Sequence, residues 1–268
     1  MLPSGNRTFI TEFDVSKQTK LLFQQTTSKG AVEVRQYKNQ RWLNIDTIEQ
    51  TRIDIAHPEK LILALHQYFL TALLFMKTPE NVLLGGLGGG ALARFLHNKR
   101  PDINGTAFEI DKTIASLARE YFYYPKEKWV ITIDDIQSCN EENFDFIIID
   151  IAESDLTPDW LTSEKTLLRF KRQLSIKGVL AINLLLTDTH SLSETLSRTR
   201  KIFERRTLCV SVPDHRNIIL FAFNHHAESD TINDLKIRAE NLTNVWGVDF
   251  STLLDQVLHD NPEGSGII

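Results

Sequence analysis

Five glycines in six positions, Gly85, Gly86, Gly88, Gly89 and Gly90, separate an apolar run from a helical one in VLLGGLGGGALARFL. Glycine is needed where a strand turns sharply into a helix and the backbone must touch a ligand, because a Cβ would block the approach. The start of the helix adds N–H donors and a partial positive charge, so the pattern predicts a nucleotide site. Gly86, Gly88 and Ala91 fit the spacing G-x-G-x-x-A, and Glu109 closes the next apolar run at about the ~20-residue distance of a ribose-binding carboxylate. Such a carboxylate serves NAD and adenosyl sulfonium compounds alike. Close helix-to-sheet packing is the other use of the glycines, and a surface acid at a strand end the other reading of Glu109.

The next two apolar runs also end in acids. WVITI leads into Asp134-Asp135, where an acid in methyltransferase-type folds receives an adenine amino group; capping the next helix is the other use, for one of the two. FDFIIID ends in Asp150, at the carboxyl end of a central strand, where open α/β sheets bind ligands. Glu153, Asp155 and Asp159 follow it. Taken singly, each reads as a solvated loop acid. Together with Asp150 they make an acidic mouth suited to a cationic amine, since a carboxylate orients an ammonium and helps it lose a proton before attack. Asp111 reads as the cap of the helix TIASLAREYF. His215 reads as an exposed turn histidine at the sheet end that overhangs the pocket. Adjacent His225 and His226 point to opposite faces of a strand, so no metal site is predicted.

These residues need elements to position them. From Lys20 to Ile55 three alternating, β-branched runs (LLFQQ, AVEVRQY, RWLNIDTIEQ) predict a small antiparallel sheet. AHPEKLILALHQYFLTALLF changes to helical spacing, with His57-Pro58 marking the start of a buried helix. Short apolar runs then alternate with helical segments, the pattern of a parallel sheet with helical crossovers. RTLCVSV and NIILFAF, joined by Pro213-Asp214-His215-Arg216, read as an antiparallel hairpin at the sheet edge. Two helices follow beyond Ser229. The expected division is 1–57, an N-terminal β-hairpin domain; 58–228, a Rossmann-like nucleoside-binding domain; and 229–268, a C-terminal helical extension.

Composition narrows the partners. Thirty basic residues against 35 acidic ones, a net charge of −5 over 268 residues, supply no field that would gather nucleic acid or anionic lipid. Cys139 and Cys209 form neither a disulfide framework nor a thiolate metal site. The opening MLPSGNRTFI has neither a basic nor an apolar leader region, and the longest oily stretch, Leu61 to Phe75, is shorter than a bilayer span. The expectation is a cytoplasmic protein with no nucleic acid and no membrane as partner.

In order, Gln50, VLLGGLGGGALAR, AFEIDKTIASLAREYF, ITIDD and FDFIIID resemble the spermidine synthase (polyamine aminopropyltransferase) family over nearly the whole chain. The resemblance implies an α/β fold with a Rossmann-like, methyltransferase-type seven-stranded sheet, an N-terminal antiparallel β-domain and a homodimer. It implies decarboxylated S-adenosylmethionine as aminopropyl donor and a small-molecule amine as acceptor. By position, Gln50 and Glu109 would hold the nucleoside, beside the candidate cofactor-binding glycines Gly86, Gly88 and Gly90 of the turn. Asp135 would face the adenine, with Asp134 beside it as the other candidate since only one acid need face the pocket; Asp150 would accept or orient the amine proton, and Glu153 would be a second acid for the substrate. Three positions depart from the family. Gly89 replaces an acid that binds the aminopropyl amine; Ile62 and Leu63 replace a Tyr-His pair that touches the polyamine; His215 replaces a late tyrosine. Two other readings therefore stand beside aminopropyl transfer: an S-adenosylmethionine-dependent methyltransferase, and a non-catalytic dimer that binds a nucleoside or a partner. An NAD-dependent oxidoreductase rests on the glycine spacing alone, with no Tyr-x-x-x-Lys in the second half of the chain.

Overall fold

The computed structural model describes residues 19–27, 29–153, 156–225 and 231–262; the opening decapeptide, Asp155 and His226 lie outside the described residues. The first sheet runs β1 (Lys20–Thr27), β2 (Gly30–Tyr37), β3 (Gln40–Ile45) and β4 (Ile48–Asp54), in that spatial order and antiparallel throughout. Alternation sends Val32, Val34, Leu43 and Ile53 inward, all fully buried. The run RWLNIDTIEQ, read as one strand, is two. The chain reverses at Asp46-Thr47, where Asp46 adopts φ 52°, a left-handed conformation that Asp tolerates, and its Oδ1 accepts the Ala31 N–H of β2 at 2.8 Å.

The oily stretch after β4 is also shorter as a helix than its spacing predicts. Only Ala64–Phe69 (α1) is α-helical, followed by a 3-10 turn over Leu70–Leu74. Side chains have captured the carbonyls that a helix from Pro58 would need: Arg94 Nε donates to the Pro58 carbonyl at 2.7 Å, and Gln67 Nε2 to that of Leu61 at 3.0 Å.

The second sheet contains β5 (Asn81–Gly85), β6 (Asn104–Phe108), β7 (Trp129–Thr132), β8 (Phe144–Ile149), β9 (Leu174–Leu184), β10 (Thr207–Ser211) and β11 (Ile218–Phe223) in the order β10-β11-β9-β8-β5-β6-β7. Strands β7 to β9 are mutually parallel through β6, β5 and β8, and β11 is antiparallel to both its neighbours. Helices α2 (Ala91–Lys99), α3 (Lys112–Tyr121), α6 (Ile232–Trp246) and α7 (Phe250–Asp260) share one core with the first face. Helices α4 (Glu164–Gln173) and α5 (Thr189–Ile202) build the other.

Strand order fixes where a ligand can enter. From β5 the chain moves outward through β6 and β7, then returns to place β8 on the other flank of β5. The carboxyl ends of β5 and β8 therefore open a crevice at a topological switch point. The first sheet closes one side of it. Val32, Val34, Leu43 and Ile53 pack on Ile114, Leu117 and Phe122 of the α3 segment, and Arg41 Nη1 bonds the Tyr121 carbonyl at 2.7 Å. Among the described residues no helix is long and apolar enough to cross a membrane.

Candidate active site

Gly86 leaves β5 with φ 87°, a conformation that L side chains rarely adopt, and a Cβ there would lie 2.2 Å from the Asp150 carbonyl oxygen. The two strand ends are thus seated against each other. The Asp150 N–H donates to the Gly85 carbonyl at 2.8 Å, and the Gly86 N–H to that of Phe108 at 3.0 Å, so β5, β6 and β8 are tied together where the turn begins. Gly89 is held from the opposite side: a Cβ would come within 2.2 Å of Cγ2 of Thr51, a fully buried residue of β4. Gly88 is the roomy position, where a Cβ would meet only the Gln50 carbonyl oxygen at 3.5 Å. Much of the glycine turn is therefore explained by packing, and it brings Gln50, Gly88 and Asp150 around a single short loop. Gly90 is the left-handed N-cap of α2 and carries no side-chain cap.

Glu109 follows β6. Its Oε2 accepts the Leu87 N–H at 3.2 Å and its Oε1 the Asp111 N–H at 3.0 Å. Burial pushes its pKa up, against the pull of those two N–H groups. The carboxylate is locked to the turn, yet two oxygens with about four lone-pair positions keep room for hydroxyl donors. Asp111 caps α3 through the Thr113 N–H at 2.7 Å.

Asp134 and Asp135 follow edge strand β7, joined to Glu109 by its N–H bond to the Thr132 carbonyl at 3.0 Å. Asp134 accepts the Ser138 hydroxyl at 2.9 Å and is exposed. Asp135 caps the short 3-10 helix Ile136–Ser138, accepting the Gln137 N–H at 2.8 Å and its Nε2 at 3.2 Å. Both acids have structural duties, and Asp135, the half-buried one, retains lone pairs for an amino donor.

Asp150 is half-buried at the end of β8, and burial pushes its pKa up while the Asn183 amide pulls it down. Asn183 Nδ2 donates to Asp150 Oδ1 at 2.8 Å. Sequence reading passed over Asn183, although a lone amide in the apolar run GVLAINLL is a signal, since a buried polar group needs a partner. Thr51 was also passed over.

Among the described residues, Glu153 and Asp159 do not join this group by any contact. Glu153 is exposed in a tight turn, where its backbone pairs with Leu156 at 2.8 and 3.0 Å. Asp159 opens a 3-10 turn and lines a separate cavity of about 540 Å³ with Glu164, Glu194 and Arg198 beyond the end of β9. His215 is exposed in the β10–β11 turn; Ile62 and Leu63 are half-buried just before α1. Among the described residues, the acid at the crevice itself is Asp150.

No family model matches the chain. It is 28% identical over 226 residues to the polyamine aminopropyltransferase of Neisseria meningitidis serogroup A, covering 82% of this chain and 85% of the relative. It is 32% identical over 137 residues to the eEF1A lysine and N-terminal methyltransferase homolog of Drosophila melanogaster, 46% of this chain and 20% of that one. Among solved structures, a probable spermidine synthase from Corynebacterium glutamicum superposes with a TM-score of 0.72 at 19% identity, over 92% and 95% of the two chains. Human methyltransferase-like protein 13, in complex with SAH, superposes at 0.63 and 21% identity over 69% and 93%. Curated relatives named polyamine aminopropyltransferase thus align with the chain over most of its length, and spermidine synthase structures share its fold.

Proposed function

We propose that this protein is a transferase that binds an adenosyl sulfonium at the crevice between β5 and β8 and moves a group from it to an amine. The observation that carries the reading is the pairing of two carboxylates across the glycine turn. Glu109 is fixed to the backbone of Leu87 on one side, and Asp150 is seated under Gly86 on the other. Glu109 has lone pairs free for ribose hydroxyls, Asp135 for an adenine amino group, and Gln50 flanks the turn. The sulfonium supplies an activated carbon and departs as a neutral thioether. What the chain supplies is position and charge: Asp150 accepts an N–H of the incoming amine, orients its lone pair and stabilises the charge that develops on nitrogen.

Aminopropyl transfer from decarboxylated S-adenosylmethionine is the first reading, because the relative aligned over most of the chain is named for it. One observation favours methyl transfer from S-adenosylmethionine instead. Thr51 Cγ2 fills the space into which any side chain at position 89 would project, so the turn has neither an acid that would repel a tail carboxylate nor room for one.

Calorimetry with S-adenosylmethionine, its decarboxylated form and methylthioadenosine tests the proposal and ranks the readings. All three share the nucleoside and should bind, and Glu109→Gln should weaken all three about tenfold or more through loss of a charge-assisted bond. Tighter binding of the carboxylated sulfonium supports methyl transfer, and of the decarboxylated one aminopropyl transfer. Failure of all three to bind at millimolar concentration would replace the proposal with a non-catalytic role.

A further inference from the structure

Strand β9 is buried along its second half, and Asn183, 3% exposed, is the polar side chain there. Its amide makes two bonds in line. Nδ2 donates to Asp150 Oδ1 at 2.8 Å, and Oδ1 accepts from Asn217 Nδ2 at 2.9 Å. Asn217 stands at the foot of the β10–β11 turn, where its carbonyl accepts the Val212 N–H at 2.9 Å. An asparagine amide is nearly symmetric in shape, and its partners decide which end faces which way. Asn217 offers an N–H, so it takes the oxygen of Asn183 and leaves the NH2 for Asp150. An NH2 can only donate. It is satisfied by an ionised carboxylate and cannot accept from a protonated one.

We propose that Asn217 and Asn183 form a positioning relay that holds Asp150 as an acceptor, with Oδ1 occupied and Oδ2 left for the N–H of the acceptor substrate. The proposal rests on the reading of Asp150 as the group that meets the acceptor, and it deepens it. A substrate atom facing Oδ2 must be an N–H or O–H donor, so amines and alcohols fit and carboxylates do not. It also makes the edge hairpin part of the site, since Asn217 belongs to that turn and Arg216 beside it reaches the Leu186 carbonyl just past β9 at 3.3 Å. Among the described residues, the ionisable groups on the surrounding elements include Glu109 after β6, Glu153 after β8, Asp188 after β9, and Asp214, His215 and Arg216 in the hairpin. Burial and the Asn183 bond are the causes that act on the Asp150 carboxyl.

The test is a carboxyl-carbon NMR titration of Asp150, assigned with Asp150→Asn, in the full chain and in Asn183→Leu and Asn217→Ala. Loss of the amide that touches Asp150 should raise its midpoint by about one pH unit. Asn217→Ala should raise it by roughly half as much, because Asn183 is then free to turn its oxygen toward a protonated Asp150. The acidic limb of the kcat/KM profile should move by the same amounts, whereas a merely structural role would lower the rate and leave the limb in place. An unmoved midpoint in Asn217→Ala overturns the relay, even if Asn183→Leu moves it or fails to fold. The titration needs no adenosyl compound, so failure of the proposed activity and failure of the relay give different results.

Discussion

Alanine at Gly86 and alanine at Gly88 should differ sharply in cost, although both glycines have positive φ. At Gly88, φ is 50° and the nearest atom to a new Cβ is the Gln50 carbonyl oxygen at 3.5 Å, an ordinary contact. Gly88→Ala then bears only the left-handed penalty, about 1 kcal/mol. At Gly86, φ is 87° and the new Cβ would lie 2.2 Å from the Asp150 carbonyl oxygen, which must retreat by roughly 1 Å to reach normal contact. It has little freedom to do so, because the N–H of the same residue is bonded to Gly85 in the neighbouring strand at 2.8 Å. Overpacking of this kind costs about 1–3 kcal/mol beyond the conformational penalty of about 1–2 kcal/mol. For a chain of this size, with a urea slope of about 3 kcal/mol per molar, Gly86→Ala should lower the unfolding midpoint by about 1 M and Gly88→Ala by about 0.3 M. Urea titration followed by circular dichroism measures both. Equal midpoints for the two variants would refute the claim that the strand ends are seated on each other through Gly86. Turnover is a second readout: the displaced carbonyl belongs to Asp150, so Gly86→Ala should lower the rate more than Gly88→Ala at temperatures where both are folded.

Two further predictions concern pH. Asp150 has its folded pKa raised by burial, so the folded chain keeps a proton that the unfolded chain has lost, and this group's contribution to stability falls as pH rises from about 4 through the raised value. Asp150→Asn should therefore gain stability relative to the unsubstituted protein between pH 4 and pH 7 while losing turnover; a relative loss over that interval in urea titrations would contradict the assignment. His66 works the other way. It is buried, with no partner for its Nδ1 among the described residues, and burial together with the nearby Arg94 guanidinium pushes its pKa down to about 4. The unfolded chain takes up that proton at about 6.5, so stability is lost as pH falls from about 6.5 to 4, by up to about 3 kcal/mol. His66→Gln should flatten this acid decline, and an unchanged slope between pH 7 and pH 4.5 would count against it.

The parts legible in the sequence are those governed by local pattern. Alternation revealed the first sheet, the glycine run marked the β5-to-α2 turn, and acids closing apolar runs marked the carboxyl ends of β6, β7 and β8. What the sequence hid depends on contacts between distant segments. The helix expected from His57 begins only at Ala64 because Arg94, 36 positions after Pro58, takes the Pro58 carbonyl. No local propensity encodes that bond. Glu153 and Asp159 look equivalent beside Asp150 in sequence, yet one lies in an exposed turn and the other lines a separate cavity. Asn217 gives no signal in its own segment; its use appears only once β11 lies against β9.

On the proposed function, the same long-range contacts let the nucleoside side and the tail side of the crevice vary independently. The nucleoside side is built by neighbours in the second sheet, with Glu109 bound to Leu87 and to the first turn of α3, and it does not depend on what the donor carries beyond its sugar. The tail side is built where the first sheet meets the turn, with Thr51 against Gly89 and Gln50 beside Gly88. A change in β4 can therefore alter what the turn tolerates and leave the nucleoside contacts in place. Thr51 is suited to such a change, because its hydroxyl is buried without a partner among the described residues and its γ-methyl, not its oxygen, makes the closest approach to Gly89. The N-terminal sheet is then more than an appendage. On the proposed function its fourth strand is the wall that would decide which sulfonium fits, while Asp150 and the hairpin behind it would decide what attacks.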